Sequence, residues 1–126
     1  MRVVLLYLGL IAAIAGAVEP ALAKVVAKKG AYGAIALHRE TGQFGYTADA
    51  LTSRAAKIEA LNQCADARCE VVLSFSNACG VLARQAARGA KGYFPATGAT
   101  RQEAETKALR LCAAKDCEVM AWACTR

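Results

Sequence analysis

Six cysteines are the residues of this 126-residue chain most able to do chemistry, and they are Cys64, Cys69, Cys79, Cys112, Cys117 and Cys124. Four of them form two Cys-x-x-x-x-Cys pairs. Two such pairs could supply four thiolates to a zinc ion, because this spacing is within the range that structural zinc sites use. The alternative is three disulfide bonds, and the compartment in which the protein folds decides between them.

The N-terminal residues favour disulfides, because they are typical of an export signal. Arg2 carries a positive charge, residues 3–18 are apolar, and Ala21-Leu22-Ala23 gives an Ala-x-Ala cleavage pattern. The sequence therefore predicts a bacterial signal peptide over residues 1–23 and a secreted or periplasmic protein. An uncleaved anchor is the alternative, but the apolar run is shorter than the ~20 residues of a spanning helix. No stable membrane anchoring is expected after cleavage.

An even number of cysteines in an exported chain predicts disulfide bonds. Cys64 with Cys69 and Cys112 with Cys117 are interpreted as local clips, which leaves Cys79 with Cys124 by elimination. Other connectivities stay open, since sequence alone does not choose among the fifteen that six cysteines allow. A redox role is disfavoured because the first cysteine of each pair ends a predicted helix, where the helix dipole disfavours a thiolate. We predict neither a metal site nor a cofactor.

Catalytic candidates are few. His38 is the only histidine, and it is interpreted as a solvated hairpin residue because the sequence offers no partner for a general base. Glu70 and Glu118 occupy equivalent positions and could form a carboxylate pair, although exposed charges at strand starts are the favoured interpretation. No catalytic residue is predicted.

The basic residues and the net positive charge of the chain indicate what kind of partner it could bind. Arg84, Arg88 and Lys91 lie near Tyr93 and Phe94, and basic residues beside aromatic ones can bind nucleic acid or glycan. A solvated hairpin with core aromatics is the favoured interpretation. Export argues against nucleic acid. The net charge of +6 favours an acidic protein or an anionic envelope component. Met120 and Trp122 are assigned to one strand face, where packing in the core or between repeats is favoured over a ligand platform.

These residues are positioned by a unit that occurs twice. Residues 60–71 and 108–119 share the frame Ala-Leu-x-x-Cys-x-x-x-x-Cys-Glu-Val without a gap, which indicates a duplicated structural unit. The first copy predicts strands at 32–37 and 43–47, a helix at 54–64 and a strand at 71–76. The second predicts strands at 79–87 and 92–94, a helix begun by the Thr100–Glu103 capping box, and a strand at 119–124.

The predicted fold is α+β: a duplicated strand-strand-helix-strand unit with about six antiparallel strands and two helices, pseudo-twofold symmetric and stapled by disulfides. The predicted organisation is a signal peptide over 1–23, a basic flexible arm over 24–31, and a single domain over 32–126. Its repeats span about 32–79 and 80–126. Each half is too short to bury its own helix and sheet face readily, so the halves are expected to pack together.

The chain resembles a known family, the secreted bacterial domain of unknown function 4189. The resemblance rests on Tyr32-Gly33-Ala34-Ile35-Ala36, Gly45-Tyr46, Ala60-Leu61-x-x-Cys64, Cys69-Glu70-Val71-Val72, Asn77-Ala78-Cys79-Gly80 and Trp122-Ala123-Cys124. It implies a small exported domain whose family has no established common activity, and it transfers no catalytic residue.

The function expected from the sequence is that of a non-enzymatic binding or interaction domain, acting on a protein or cell-envelope component. The alternative is a secreted enzyme or effector toxin that acts on the cell envelope or a host.

Overall fold

A computed structural model describes residues 30–125. The predicted signal peptide and residues 24–29 of the arm lie outside the described residues. Gly30 is buried, and Ala31 accepts a hydrogen bond from the Asn77 N–H (3.0 Å), so the folded part of the chain already includes these two residues.

The elements repeat in the order strand-strand-helix-strand. They are β1 (Tyr32–Leu37), β2 (Phe44–Ala50), α1 (Ser53–Cys64), β3 (Glu70–Ser76), β4 (Cys79–Arg84), β5 (Tyr93–Gly98), α2 (Arg101–Cys112) and β6 (Glu118–Cys124), with a short 3-10 helix (Ala86–Lys91) between β4 and β5. The predicted α+β fold with a duplicated unit is confirmed.

Each repeat forms its own three-stranded antiparallel sheet. The strand order is β2-β1-β3 in the first sheet and β5-β4-β6 in the second. The sheets contact each other reciprocally, since β2 lies against β6 and β5 against β3. The fold is therefore a four-layer stack of α1, two sheets and α2, in which the unit predicted from the repeat packs on its own copy.

Three apolar clusters separate these layers. The largest lies between the sheets and includes Ile35, Leu37, Phe75 and Leu82. The other two lie between each helix and its sheet. Each helix buries a stripe of small residues, which are Ala56, Ala60 and Cys64 in α1 and Ala104, Ala108 and Cys112 in α2. Small side chains let the helix axes approach the sheets closely, as the i, i+4, i+8 spacing predicts.

One aromatic ring occupies the centre between the two repeats. A Cβ added at Gly33 or at its repeat equivalent Gly80 would lie 2.4 Å from a carbon of the Phe75 ring. Ala123 holds the repeat position of Phe75 and also belongs to the central cluster. Two large side chains cannot share one place near a pseudo-twofold axis, so one copy carries the ring and the other a methyl group.

Both helix starts are capped by threonine. The Thr52 side chain accepts from the Ala55 N–H (3.1 Å), and that of Thr100 accepts from the Glu103 N–H (3.1 Å). The Glu103 carboxylate reaches back to the Ala99 N–H (3.1 Å). The threonine half of the capping box is therefore present, while the Glu103 carboxylate reaches back to Ala99, one residue before the N-cap Thr100 whose N–H the motif predicts.

A bulge in each last strand changes which residues share a face. The register of β1 with β3 shifts between Ile35 and Ala36, and that of β4 with β6 shifts at the equivalent point. Val71 consequently packs toward α1, whereas Leu73 and Phe75 pack between the sheets. Simple alternation along β3 would put all three on one side, but the extra residue of the bulge interrupts the alternation.

The bulge in β6 puts Met120 and Trp122 on different faces of the second sheet. Met120 packs against the cluster between the sheets, while Trp122 pairs with Val81, whose side chain belongs to the α2-side cluster. Trp122 is 44% exposed. Its assignment to packing between repeats, on one face with Met120, was therefore wrong.

The second hairpin departs most from the prediction. Strand β4 ends at Arg84 rather than near residue 87, and the 3-10 helix replaces a simple turn. Strand β5 continues through Pro95 to Gly98, which is possible because β5 is an edge strand and needs no ladder donor there. Pro95 opposes Leu82 as Tyr46 opposes Ile35. Pro95, and not Phe94, is therefore the repeat equivalent of Tyr46.

The disulfide bonds predicted from the sequence are present. They join Cys64 to Cys69, Cys79 to Cys124, and Cys112 to Cys117. In both short clips the helix ends on an alanine in the left-handed region, Ala65 (φ 58°) and Ala113 (φ 56°), which turns the chain back toward the helix. Three disulfides indicate an oxidising, extracytoplasmic environment. Across residues 30–125, no helix is both long and apolar enough to cross a membrane.

Candidate functional site

The strongest candidate site is a cleft of about 420 Å³ where the first sheet meets the second. One wall is the face of β2, which presents Phe44, Tyr46 and Ala48 at every second residue. The other wall is β6. We call this feature the β2–β6 cleft. Phe44 and Tyr46 are 37% and 45% exposed, so their rings are available to a ligand.

Strand β6 lines the cleft in a different way from β2. Five consecutive residues, Met120 to Cys124, border it. Successive side chains of a strand point to opposite faces, so consecutive residues can line one cleft only along the strand's edge. The cleft therefore runs beside the backbone of β6, whose outer side pairs with no strand among residues 30–125.

A cation stands at the rim of the cleft. The Arg101 guanidinium carbon lies 3.9 Å from the centroid of the Trp122 ring, and Arg101 Nε donates to Glu105 Oε1 (2.6 Å). The ring and the carboxylate hold the guanidinium in place. None of the eight residues that line the cleft is charged. The site is an apolar groove with the Arg101–Glu105 ion pair, stacked on Trp122, at its rim.

The second repeat provides an internal comparison. The ladder registers make Tyr93 the equivalent of Phe44 and Pro95 the equivalent of Tyr46, and Ser74 is the equivalent of Trp122. Tyr93 is only 7% exposed. Both copies share the core, but only the β2–β6 side carries three exposed aromatic rings, so core packing alone does not account for them.

His38 is not the solvated residue that the sequence suggested. It is 4% exposed; its Nδ1 accepts from the Thr41 N–H (3.4 Å), and its Nε2 lies 3.8 Å from Asp66 Oδ1. The reason is tertiary, because Asp66 belongs to the disulfide-clipped loop after α1, which is distant in sequence from the first hairpin. The contacts of His38 therefore tie the first hairpin to the loop after α1.

The possible carboxylate pair is not assembled as a site. Glu70 forms an ion pair with Arg39, and both Glu70 and Glu118 are exposed. Neither glutamate lines the β2–β6 cleft. Within residues 30–125, no group of three or more His, Cys, Asp or Glu side chains is placed to hold a metal ion.

The basic residues near the second hairpin stack on aromatic rings. The guanidinium carbons of Arg84 and Arg88 lie 5.9 Å and 5.3 Å from the ring centroids of Tyr93 and Phe94. Tyr93 packs between the sheets and Phe94 packs toward α2. The rings are largely occupied by the core, so this cluster is not an open platform of alternating bases and aromatics.

A second cleft of about 380 Å³ lies along α2 and is lined by polar side chains including Glu103 and Lys107. A hydrogen bond from Lys107 (Nζ to Oε1, 3.0 Å), with that from the Ala99 N–H, lowers the pKa of Glu103. The carboxylate is therefore committed to capping the helix and to an i,i+4 pair.

Sequence reasoning missed Phe44, Tyr46 and Trp122 as parts of one site. The aromatic residues at positions 44 and 46 could have indicated part of this site, because a spacing of two residues puts both side chains on one face of a strand. The sequence does not show that β2 of the first sheet packs against β6 of the second.

Comparison with known proteins agrees with this description. A family model for the domain of unknown function DUF4189 matches residues 32–124, so the chain belongs to that family. It is also similar to the NMR structure of Rv1813c from Mycobacterium tuberculosis, with 28% identity, a TM-score of 0.58, and coverage of 74% of each chain. A search of curated proteins found no match.

Proposed function

We propose that this DUF4189 member is an exported, non-enzymatic binding domain that uses the β2–β6 cleft to hold a protein or cell-envelope component. The observation that carries the proposal is the exposure of Phe44, Tyr46 and Trp122 around one groove. Aromatic side chains supply much of the binding energy in protein recognition sites, so three exposed rings lining one groove favour recognition.

The scaffold suits this role. Three disulfides and a core shared by both repeats hold β2 and β6 in fixed positions. A groove that is already formed loses little conformational entropy when a ligand enters, which favours binding. The signal peptide predicted from residues 1–23 supports action in the periplasm or outside the cell. No arrangement described above favours the alternative of a secreted enzyme.

A photo-crosslinking experiment tests the proposal. Benzoylphenylalanine replaces Tyr46 in the full chain, which is expressed in an exporting bacterium and irradiated. Ile58, which is 47% exposed on α1 and outside the cleft, is the matched control position. We expect one recurrent adduct at position 46 that Trp122→Ala abolishes without changing the unfolding temperature. Equal labelling at both positions, or an adduct indifferent to Trp122→Ala, would refute the proposal.

A further inference from the structure

We infer that the partner of the β2–β6 cleft is an extended polypeptide segment, apolar on one face and acidic on the other, which adds to β6 as a fourth strand of the second sheet. This inference rests on the proposed binding function of the cleft and specifies the chemistry of its ligand.

The first argument is the form of β6. Five consecutive residues border the cleft, so its length follows the strand edge, and every second residue of an edge strand turns its N–H and C=O away from the sheet. Only a polypeptide repeats donors and acceptors at the matching interval of ~3.3 Å per residue. Strand addition is a common mode of peptide recognition that uses such an edge.

The second argument is that the part of β6 beside the cleft carries little of the usual protection of an edge, because Glu118 and the bulge before Ala121 lie at the start of the strand. Natural edge strands carry charges, prolines or covering elements that prevent pairing with other chains. Strand β5 has Pro95, and on β2 the Gln63 side chain accepts from the Tyr46 N–H (3.1 Å). Residues 120–124 contain neither charge nor proline. An edge left open beside exposed aromatic rings fits a functional pairing site.

The faces of the cleft specify the side chains of the added strand. On the side between the sheets, residues of the ligand would meet Phe44, Tyr46 and Ala48, which favours apolar side chains. On the opposite side they would meet Trp122 and the Arg101 guanidinium stacked on it. Arg101 gives its Nε–H to Glu105, and an acidic side chain of the ligand could accept charge-assisted hydrogen bonds from the Nη groups of the same guanidinium.

Charge also selects among possible strands. The chain carries a net charge of +6, so a second copy would bring like charge to the rim that Arg101 already occupies. The segment 24–29 contains three lysines and would do the same. An acidic segment from another protein is attracted by this charge, which speeds its association.

Synthetic peptides test the inference on the folded, oxidised chain. The probe is a capped peptide of roughly eight residues with alternating valine and glutamate, long enough to span Met120 to Cys124. Binding is followed by the fluorescence of Trp122, the only tryptophan, and by backbone amide hydrogen exchange. We expect saturable binding and slowed exchange at alternate amides of β6. Tyr46→Ala should weaken binding, whereas Ile58→Ala should not.

Two analogues separate strand addition from other binding. A peptide N-methylated through its central residues keeps the side chains but cannot donate to β6, and should bind at least about tenfold more weakly, as expected when two or so hydrogen bonds are lost. A valine–lysine peptide should also bind more weakly. Equal binding of the N-methylated peptide would overturn the inference.

Other occupants give distinguishable results. Binding of a peptidoglycan fragment instead of the peptide would identify a glycan ligand. A dimer in sedimentation that Trp122→Ala dissociates would identify a second copy. Either result overturns strand addition by a foreign segment. If the peptides fail while crosslinking at position 46 still gives an adduct that depends on Trp122, this inference fails and the binding function stands. If both fail, both are rejected.

Discussion

Removing the Cys79–Cys124 disulfide should destabilise the fold about twice as much as removing either short clip. This bond closes a loop with a sequence separation of 45, whereas Cys64–Cys69 and Cys112–Cys117 have separations of 5. In the chain-entropy model, loop closure is worth about 4 kcal/mol for the long loop and about 2 kcal/mol for each short one at 25 °C. The three bonds are therefore unequal.

Packing losses are closely matched in this comparison. Cys64 and Cys112 are fully buried, and Cys79 is 6% exposed, so changing each pair to alanine removes similar buried sulfur. The two short clips also occupy equivalent repeat positions. We therefore expect Cys64→Ala/Cys69→Ala and Cys112→Ala/Cys117→Ala to have nearly equal effects, and Cys79→Ala/Cys124→Ala to have the largest.

Urea unfolding of the three double variants and the parent chain, followed by far-UV circular dichroism, measures these differences in the free energy of unfolding. Comparison of midpoints is valid where the slope m is unchanged. If either short-clip variant loses as much stability as Cys79→Ala/Cys124→Ala, loop closure is not the dominant contribution and the reasoning is refuted.

Three other perturbations follow from the packing. Gly45→Ala would place a Cβ 2.2 Å from the Ala60 carbonyl oxygen and should lower stability by about 2–3 kcal/mol in urea unfolding; a loss below about 1 kcal/mol would contradict this contact. Phe75→Ala should cost about 3–5 kcal/mol in the same assay, since it empties the central position between the repeats, and a loss below about 1 kcal/mol would contradict that placement. Glu103, whose pKa is lowered from 4.5 chiefly by the Lys107 hydrogen bond, contributes stability that is present above its unfolded pKa and is lost as the pH falls through its folded pKa. The unfolding temperatures of the parent and Glu103→Gln should therefore differ at pH 7 and converge as the pH falls through the lowered pKa of folded Glu103; a constant difference would contradict this origin.

Much of the fold could be predicted because its signals are local. The period of the frame at residues 60–71 and 108–119 indicates the duplication, and the threonine caps mark both helix starts. The row of small buried residues, alanine and cysteine, on α1 and on α2 indicates close packing of each helix on a sheet. These features depend on neighbours a few residues apart, so the sequence contains them directly.

The errors share a different origin. The extra residue at the bulge in β6 places Trp122 on the α2 side of its sheet. Hydrophobic alternation alone does not reveal where a strand register shifts. His38 is covered by a loop that follows α1, and Pro95 is tolerated because β5 is an edge. Each outcome depends on which strands become neighbours.

The sequence by itself determined the repeated α+β unit and the small residues that let each helix approach its sheet, because both are set by spacing along the chain. It favoured the two short cysteine clips without choosing among all the possible connectivities. Only the tertiary structure decided that β2 meets β6, that Phe44, Tyr46 and Trp122 border one cleft, and that no strand within residues 30–125 pairs with the outer edge of β6. The physical reason is that the sequence of one unit does not state how two copies pack together. In the observed arrangement the Phe75 ring packs between Gly33 and Gly80.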